Sequence, residues 1–182
     1  MEQDALDELG LRRPGAAAAC LIALIIIIPV LIGWAGGSPP HHVIGFIIAI
    51  LLLQGLAPLT AIGMGLPVPH LLLASISVAM GVILGVFIVC DIFAGRSERI
   101  TRWMGKVQAT MDRYRVLNRY GEYMLIPIMW VPGIGLYGTP VVAWVLHWRT
   151  HRSILLMLTG WLIACLTVTG LTEGILALLP RP

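Results

Sequence analysis

The chain has 182 residues, 58% of them hydrophobic and 12% charged, with a formal net charge of +3. A mean hydropathy of +0.92 lies far above that of a soluble domain, so the sequence predicts an all-α integral membrane protein. Its length leaves room for one membrane domain, residues 1–182, and excludes a separate soluble catalytic domain of normal size.

In chain order, Glu2, Asp4, Asp7 and Glu8 precede Arg12 and Arg13, unlike the basic start of a secretory signal, so residues 16–34 are read as a retained first span. Residues 43–69 are apolar but interrupted by Gly55, Pro58, Gly63, Gly65, Pro67 and Pro69. Residues 70–94 supply a second uninterrupted span, the core of a bilayer needing roughly 20 apolar residues. Residues 97–119 place Ile100, Trp103, Met104, Val107, Met111, Tyr114 and Leu117 on one helical face with charges elsewhere, the pattern of an interfacial amphipathic helix or of a linker helix packed on the bundle. Residues 123–147 form a second broken segment, with Pro127, Pro132, Gly133, Gly135, Gly138 and Pro140, and residues 153–179 form the last span.

Both broken segments carry a Gly-x-Gly-Leu, at Gly63–Leu66 and Gly133–Leu136. A half-helix that stops inside lipid leaves N–H and C=O groups unpaired unless protein or a water-filled cavity covers them. Paired breaks in corresponding positions are a sequence pointer to a transport site. Charge then sets the topology. Residues 95–121 hold Arg96, Arg99, Arg102, Lys106, Arg113, Arg115 and Arg119, whereas residues 35–42 hold no Lys or Arg. If each broken segment enters and leaves on one side, the N-terminus, the basic stretch, Arg149 and Arg152 all fall in the cytoplasm, as the positive-inside rule asks. The expected architecture is therefore three full spans plus two re-entrant hairpins dipping in from opposite faces. Five complete spans with the N-terminus outside would also put the basic stretch inside, but would export Arg149 and Arg152.

Ionisable groups within membrane segments are candidates for function. Asp91 lies near the end of its span, five residues from Arg96; Glu122 either caps the second hairpin or gates its mouth; Glu173 either faces the first hairpin or snorkels outward. Half-helix N-termini after Gly65 and Gly135 would offer free N–H groups to an anion such as a lipid phosphate, with Gln54, Thr60, Tyr137 and Thr139 adding neutral hydrogen bonds. The expected substrate path is lined by Gln54, Pro58, Gly63, Gly65, Pro132, Gly133, Gly135, Tyr137, Gly138 and Glu173. Packing alone would also account for the breaks. Small residues at Ser77, Gly81 and Gly85, at Gly160 and Ala164, and at Gly170 and Gly174 allow close helix contacts, within the fold or across a dimer.

Catalysis and cofactors are not expected. His41, His42, His70, His147 and His151 show no HExxH pairing, Ser75 and Ser77 lack a nucleophile setting, and Cys20, Cys90 and Cys165 show no CxxC or metal-type spacing. They read as packing residues. The net positive charge needs no nucleic acid to explain it.

The stretch Pro127-Ile-Met-Trp-Val-Pro132-Gly133-Ile-Gly135-Leu-Tyr137-Gly138-Thr-Pro-Val-Val-Ala143-Trp144 resembles a pattern of the small multidrug export protein family, a branch of the DedA/VTT superfamily. The match extends best over residues 120–175. The resemblance implies two facing re-entrant hairpins, a prokaryotic inner membrane and the movement of lipids or similar amphiphiles. Where the pattern carries an acid and an Arg before the first break, this chain has Leu52 and Gln54; where it carries Gly-Asn, this chain has Gly81-Val82. Two functions are thus expected: a small transporter or lipid translocase with membrane lipids as partners, or a non-transporting subunit held in a homo-oligomer or larger membrane complex.

Overall fold

A computed structural model describes residues 14–94, 121–131, 135–146 and 148–178. The N-terminal acids and arginines, the 97–119 amphipathic helix, Pro132, Gly133 and His147 lie outside the described residues. Those that are described form helices and connecting turns, with no strand among them. Four stretches, Gly15–Ala35, Pro40–Gly63, Val68–Ile92 and Thr150–Ile175, are long and apolar enough to cross a membrane. Three coincide with the expected spans. The fourth covers most of the first broken segment.

The first stretch comprises α1 (Pro14–Ile22), a π-helical turn (Ala23–Ile27) and α2 (Ile28–Ala35). Pro29 causes the irregularity. In the π register the Ile28 N–H reaches the Ala23 carbonyl, so the Leu24 carbonyl would need a donor on residue 29, which as proline has none. The Ser77 hydroxyl supplies it, donating to the Leu24 carbonyl at 2.7 Å. One turn on, Gly81 faces Leu24 and Ile25 so closely that an added Cβ would lie 3.1 Å from Leu24 Cβ. The Ser77, Gly81, Gly85 stripe is therefore an internal seam, with Gly85 resting near Leu21. Nothing lies within 4 Å of a Cβ at Gly170 or Gly174.

The second stretch is apolar enough to span but does not run straight. It consists of α3 (Pro40–Leu53), a 3₁₀ turn (Gln54–Leu56) and α4 (Ala57–Gly63). In one continuous helix Gly45 and Met64 would lie about 28 Å apart at 1.5 Å per residue. Instead a Cβ on Gly45 would be 3.1 Å from Met64 Cε, so α4 doubles back along α3. The reversal sits at Gln54, with φ 51° and ψ −117°.

From Val68 to Ala94 runs α5, a central helix about 40 Å long. Its start lies beside the α2–α3 turn, where a Cβ on Gly36 would be 2.8 Å from the His70 ring. Its far end is marked by Asp91, which accepts a hydrogen bond from the Trp144 indole at 2.6 Å. These two ends, about 32 Å apart along the helix, orient everything else.

The second broken segment comprises a 3₁₀ turn (Gly121–Met124), α6 (Leu125–Ile128) and α7 (Gly135–Val145), followed by α8 (Thr150–Leu178). It too reverses. Glu122 Oε1 accepts the Arg149 backbone N–H at 3.4 Å, which places the entry and exit of the segment side by side at the Asp91 end. At its tip, Gly135 lies directly on the Met129 backbone, leaving no room for a Cβ. Gly160 of α8 gives the tip its bed, with a Cβ there 2.9 Å from the Ile126 carbonyl oxygen. Trp161, Met157, Leu125 and Leu136 fill the space between α6, α7 and α8.

Candidate functional site

The two segments enter from opposite ends of α5, and their tips meet. The Tyr137 hydroxyl, half a turn into α7, donates to the Leu51 carbonyl at 2.7 Å, across 86 residues of sequence. That carbonyl has a reason to accept. Because α3 stops at Leu53, the Leu51 C=O is one of the terminal carbonyls whose i+4 donor falls beyond the helix. In a hydrocarbon environment such a group needs a partner from elsewhere.

The surroundings are apolar and open on one side. Leu52 is 76% exposed, and Leu53, Leu56, Trp130 and Val131 are also exposed, as is Tyr137 itself. Gln54 is buried and engaged with a partner. Pro58 is the second residue of α4, where its missing N–H costs nothing. Thr60 is spent on its own helix, donating to the Ala57 carbonyl at 2.8 Å. Thr139, on the opposite face of α7 from Tyr137, is wholly buried, with no hydrogen-bond partner for its hydroxyl. No charged side chain is found among the buried described residues, whose polar members are Ser, Thr and Gln.

Several expected path residues are elsewhere. Gly63 and Gly65 do not mark the break in the first segment; they lie at its mouth. Gly65 has φ +75°, the Leu66 N–H reaches the Ala61 carbonyl, and the Gly65 N–H reaches that of Ile62. That bond pair is a Schellman motif, so Gly65 ends α4 as the residue with no Cβ penalty in the left-handed region. No half-helix N-terminus follows it inside the first hairpin. The helix that starts there is α5, at the end of the molecule. Glu173 is exposed on α8, about 20 Å beyond the Gly160 bed of the second tip, and is not brought to the tips. Gly138 is part-buried next to Tyr137, while Pro132 and Gly133 fall outside the described residues.

Glu122 sits at the foot of the second hairpin and bridges to the start of α8, where a carboxylate also meets the positive end of the helix dipole. Two features escaped the sequence reading. The Leu51 carbonyl is a backbone atom and leaves no trace in residue identity. The Asp91–Trp144 bond joins residues 53 apart; a Trp five residues before Arg149 was its only available signal.

No protein-family model, curated protein or solved structure matches the chain.

Proposed function

We propose that the protein is a small, non-enzymatic membrane transporter or lipid translocase, in which two re-entrant hairpins of the DedA-like kind meet near mid-membrane and an amphiphile passes beside their tips. The observation that carries this reading is the tip-to-tip bond from Tyr137 to the Leu51 carbonyl, flanked by exposed apolar side chains. An amphiphile's tail is at home against Leu52, Leu53, Leu56 and Trp130, and its polar head meets the few hydrogen-bonding groups at that depth. With only neutral polar side chains among the buried described residues, facilitated movement fits better than strong proton coupling. The N-terminus and the basic 95–121 stretch lie on the cytoplasmic side of a prokaryotic inner membrane in this reading.

The test is transport by the purified chain alone. In liposomes carrying a fluorescent headgroup lipid, it should render inner-leaflet label accessible to dithionite faster than empty vesicles do. Rates equal to those of empty vesicles would refute it. Topology is tested separately: His41→Cys and Gly63→Cys should both label from outside, and Tyr123→Cys and His151→Cys both from inside. Labelling of the first pair from opposite faces would remove the first re-entrant hairpin.

The lack of any charged side chain among the buried described residues favours a second reading, a subunit that keeps this fold and works inside a homo-oligomer or larger membrane complex. It expects stoichiometric co-purification with a larger assembly and no lipid movement by the isolated chain.

A further inference from the structure

Thr139 and Ser153 are wholly buried, and neither hydroxyl has a hydrogen-bond partner. An unpaired hydroxyl is costly where bulk water is excluded, so two of them in one place call for a ligand.

Two anchors show that they share a place. At the inner end, the Trp148 N–H bonds the Ala143 carbonyl at 3.2 Å and closes the turn between α7 and α8. Thr139 lies four residues back along α7, about 6 Å, and Ser153 lies in the first turn of α8, so the two stand at one height. At the tip, Gly135 rests on Met129, and Ile126 and Met129 rest on Gly160. Thr139 is about 40° from Gly135 around α7, and Ser153 is about 20° from Gly160 around α8. Both therefore face the space enclosed by α6, α7 and α8. Trp144, about 140° from Thr139 around the helix, is turned instead toward Asp91 of α5. Trp161 and Thr169, the other unpartnered groups of α8, stand about 12 and 24 Å beyond Ser153.

A third polar group belongs to the same notch. Pro140 lies inside α7 and has no N–H, so the Leu136 carbonyl loses its i+4 donor. Thr139 is three residues past Leu136, a spacing at which a helical Thr hydroxyl can donate back, yet it makes no such bond. Two hydroxyls and one carbonyl make three neutral partners, the number a buried water typically takes.

We infer that this notch binds one ordered water, held by the Thr139 and Ser153 hydroxyls and the Leu136 carbonyl. The water re-satisfies the backbone group freed by Pro140, as ordered waters do at proline breaks in membrane helices. It also ties α7 to α8 at the foot of the second hairpin. Thr139 then serves the interior of the fold and not a cargo, and the inference does not depend on transport.

The test removes each hydroxyl with little change of shape. In the full chain in detergent, Thr139→Val and Ser153→Ala should each shift the unfolding equilibrium roughly fivefold toward the unfolded state, as loss of one hydrogen bond does. The double variant should shift it by clearly less than the product of the two, because the water leaves with the first hydroxyl. A dry notch gives the opposite sign: an unpaired hydroxyl is removed, and each variant is as stable as the wild type or more so. That result overturns the site, as does a double variant equal to the product. A direct bond between the two hydroxyls would couple them as well, and a density map of the wild type that shows ordered waters separates the cases. It should show a peak within hydrogen-bond distance of both hydroxyl oxygens and the Leu136 carbonyl. No peak there, or two hydroxyls bonded to each other, overturns the water, and the map decides even where a variant fails to fold.

Discussion

The two hairpins look alike in sequence and are built differently. Each carries a Gly-x-Gly-Leu, yet in the second hairpin Gly135 of that motif lies at the tip, pressed on the Met129 backbone, while in the first Gly65 lies at the mouth, closing α4. The first hairpin turns instead at Gln54, a residue poorly suited to the task. Its arms are held by apolar burial, with Val43, Phe46 and Ile50 of α3 and Ala57 and Ala61 of α4 wholly inside. The second hairpin adds polar ties at its foot, Trp144 to Asp91 and Glu122 to the Arg149 amide, and backbone-to-backbone contact at its tip. A clamped hairpin with a tightly fitted tip thus faces a greased hairpin with a strained one. The physical lesson is that an identical motif can serve as close-packing surface in one place and as helix terminator in another.

The largest effect that bears on this contrast is expected at the fitted tip. Gly135→Ala puts a methyl into the Met129 carbonyl, which cannot move as a flexible side chain would, so a loss of about 1–3 kcal/mol is expected, read by unfolding in detergent. Gly63→Ala at the mouth, with open space around it, should cost far less; equal losses at the two positions would erase the distinction between the motifs. Next comes Ser77→Ala, which leaves the Leu24 carbonyl without its replacement donor and should cost about 0.6 kcal/mol, the average for interhelical hydrogen bonds in membrane proteins, and at most about 1.7 kcal/mol. Trp144→Phe removes the clamp to Asp91 and should cost about 0.5–1 kcal/mol because that pair is exposed. Its marker is faster amide exchange in α7 with α3 unaffected; loosening of both hairpins together would mean that they do not act as separate units. The smallest change is expected from Glu122→Gln, under about 0.5 kcal/mol, since the 3.4 Å contact is long and a neutral amide oxygen can still accept.

Much of the architecture was legible in the residues. Apolar runs of sufficient length announced the spans because bilayer thickness and helix rise are fixed quantities. Breaks announced reversals because proline and glycine do not continue a helix cheaply. The exact turning point in the first segment was not legible, since the Gly and Pro cluster from Pro58 to Pro69 signals helix starts and stops equally well and Gln54 carries no turn signal. Glu173 was a reasonable candidate on hydropathy, but depth along α8 follows from where Gly160 docks, a contact between distant parts of the chain.

Composition and pattern alone point to a helical chain with apolar stretches long enough to cross a membrane and two interrupted segments, and the charge asymmetry pointed to their entry from opposite sides. These are properties of composition and one-dimensional pattern, set by the cost of charge and unpaired backbone in lipid. Only the tertiary structure decided that the tips meet, that a Tyr137 hydroxyl fills the carbonyl Leu51 leaves open, and that the strain falls on Gln54 rather than Gly55. Those outcomes depend on which backbone atoms lose their helical partners and on what happens to lie across from them, and neither is a property of any residue's identity.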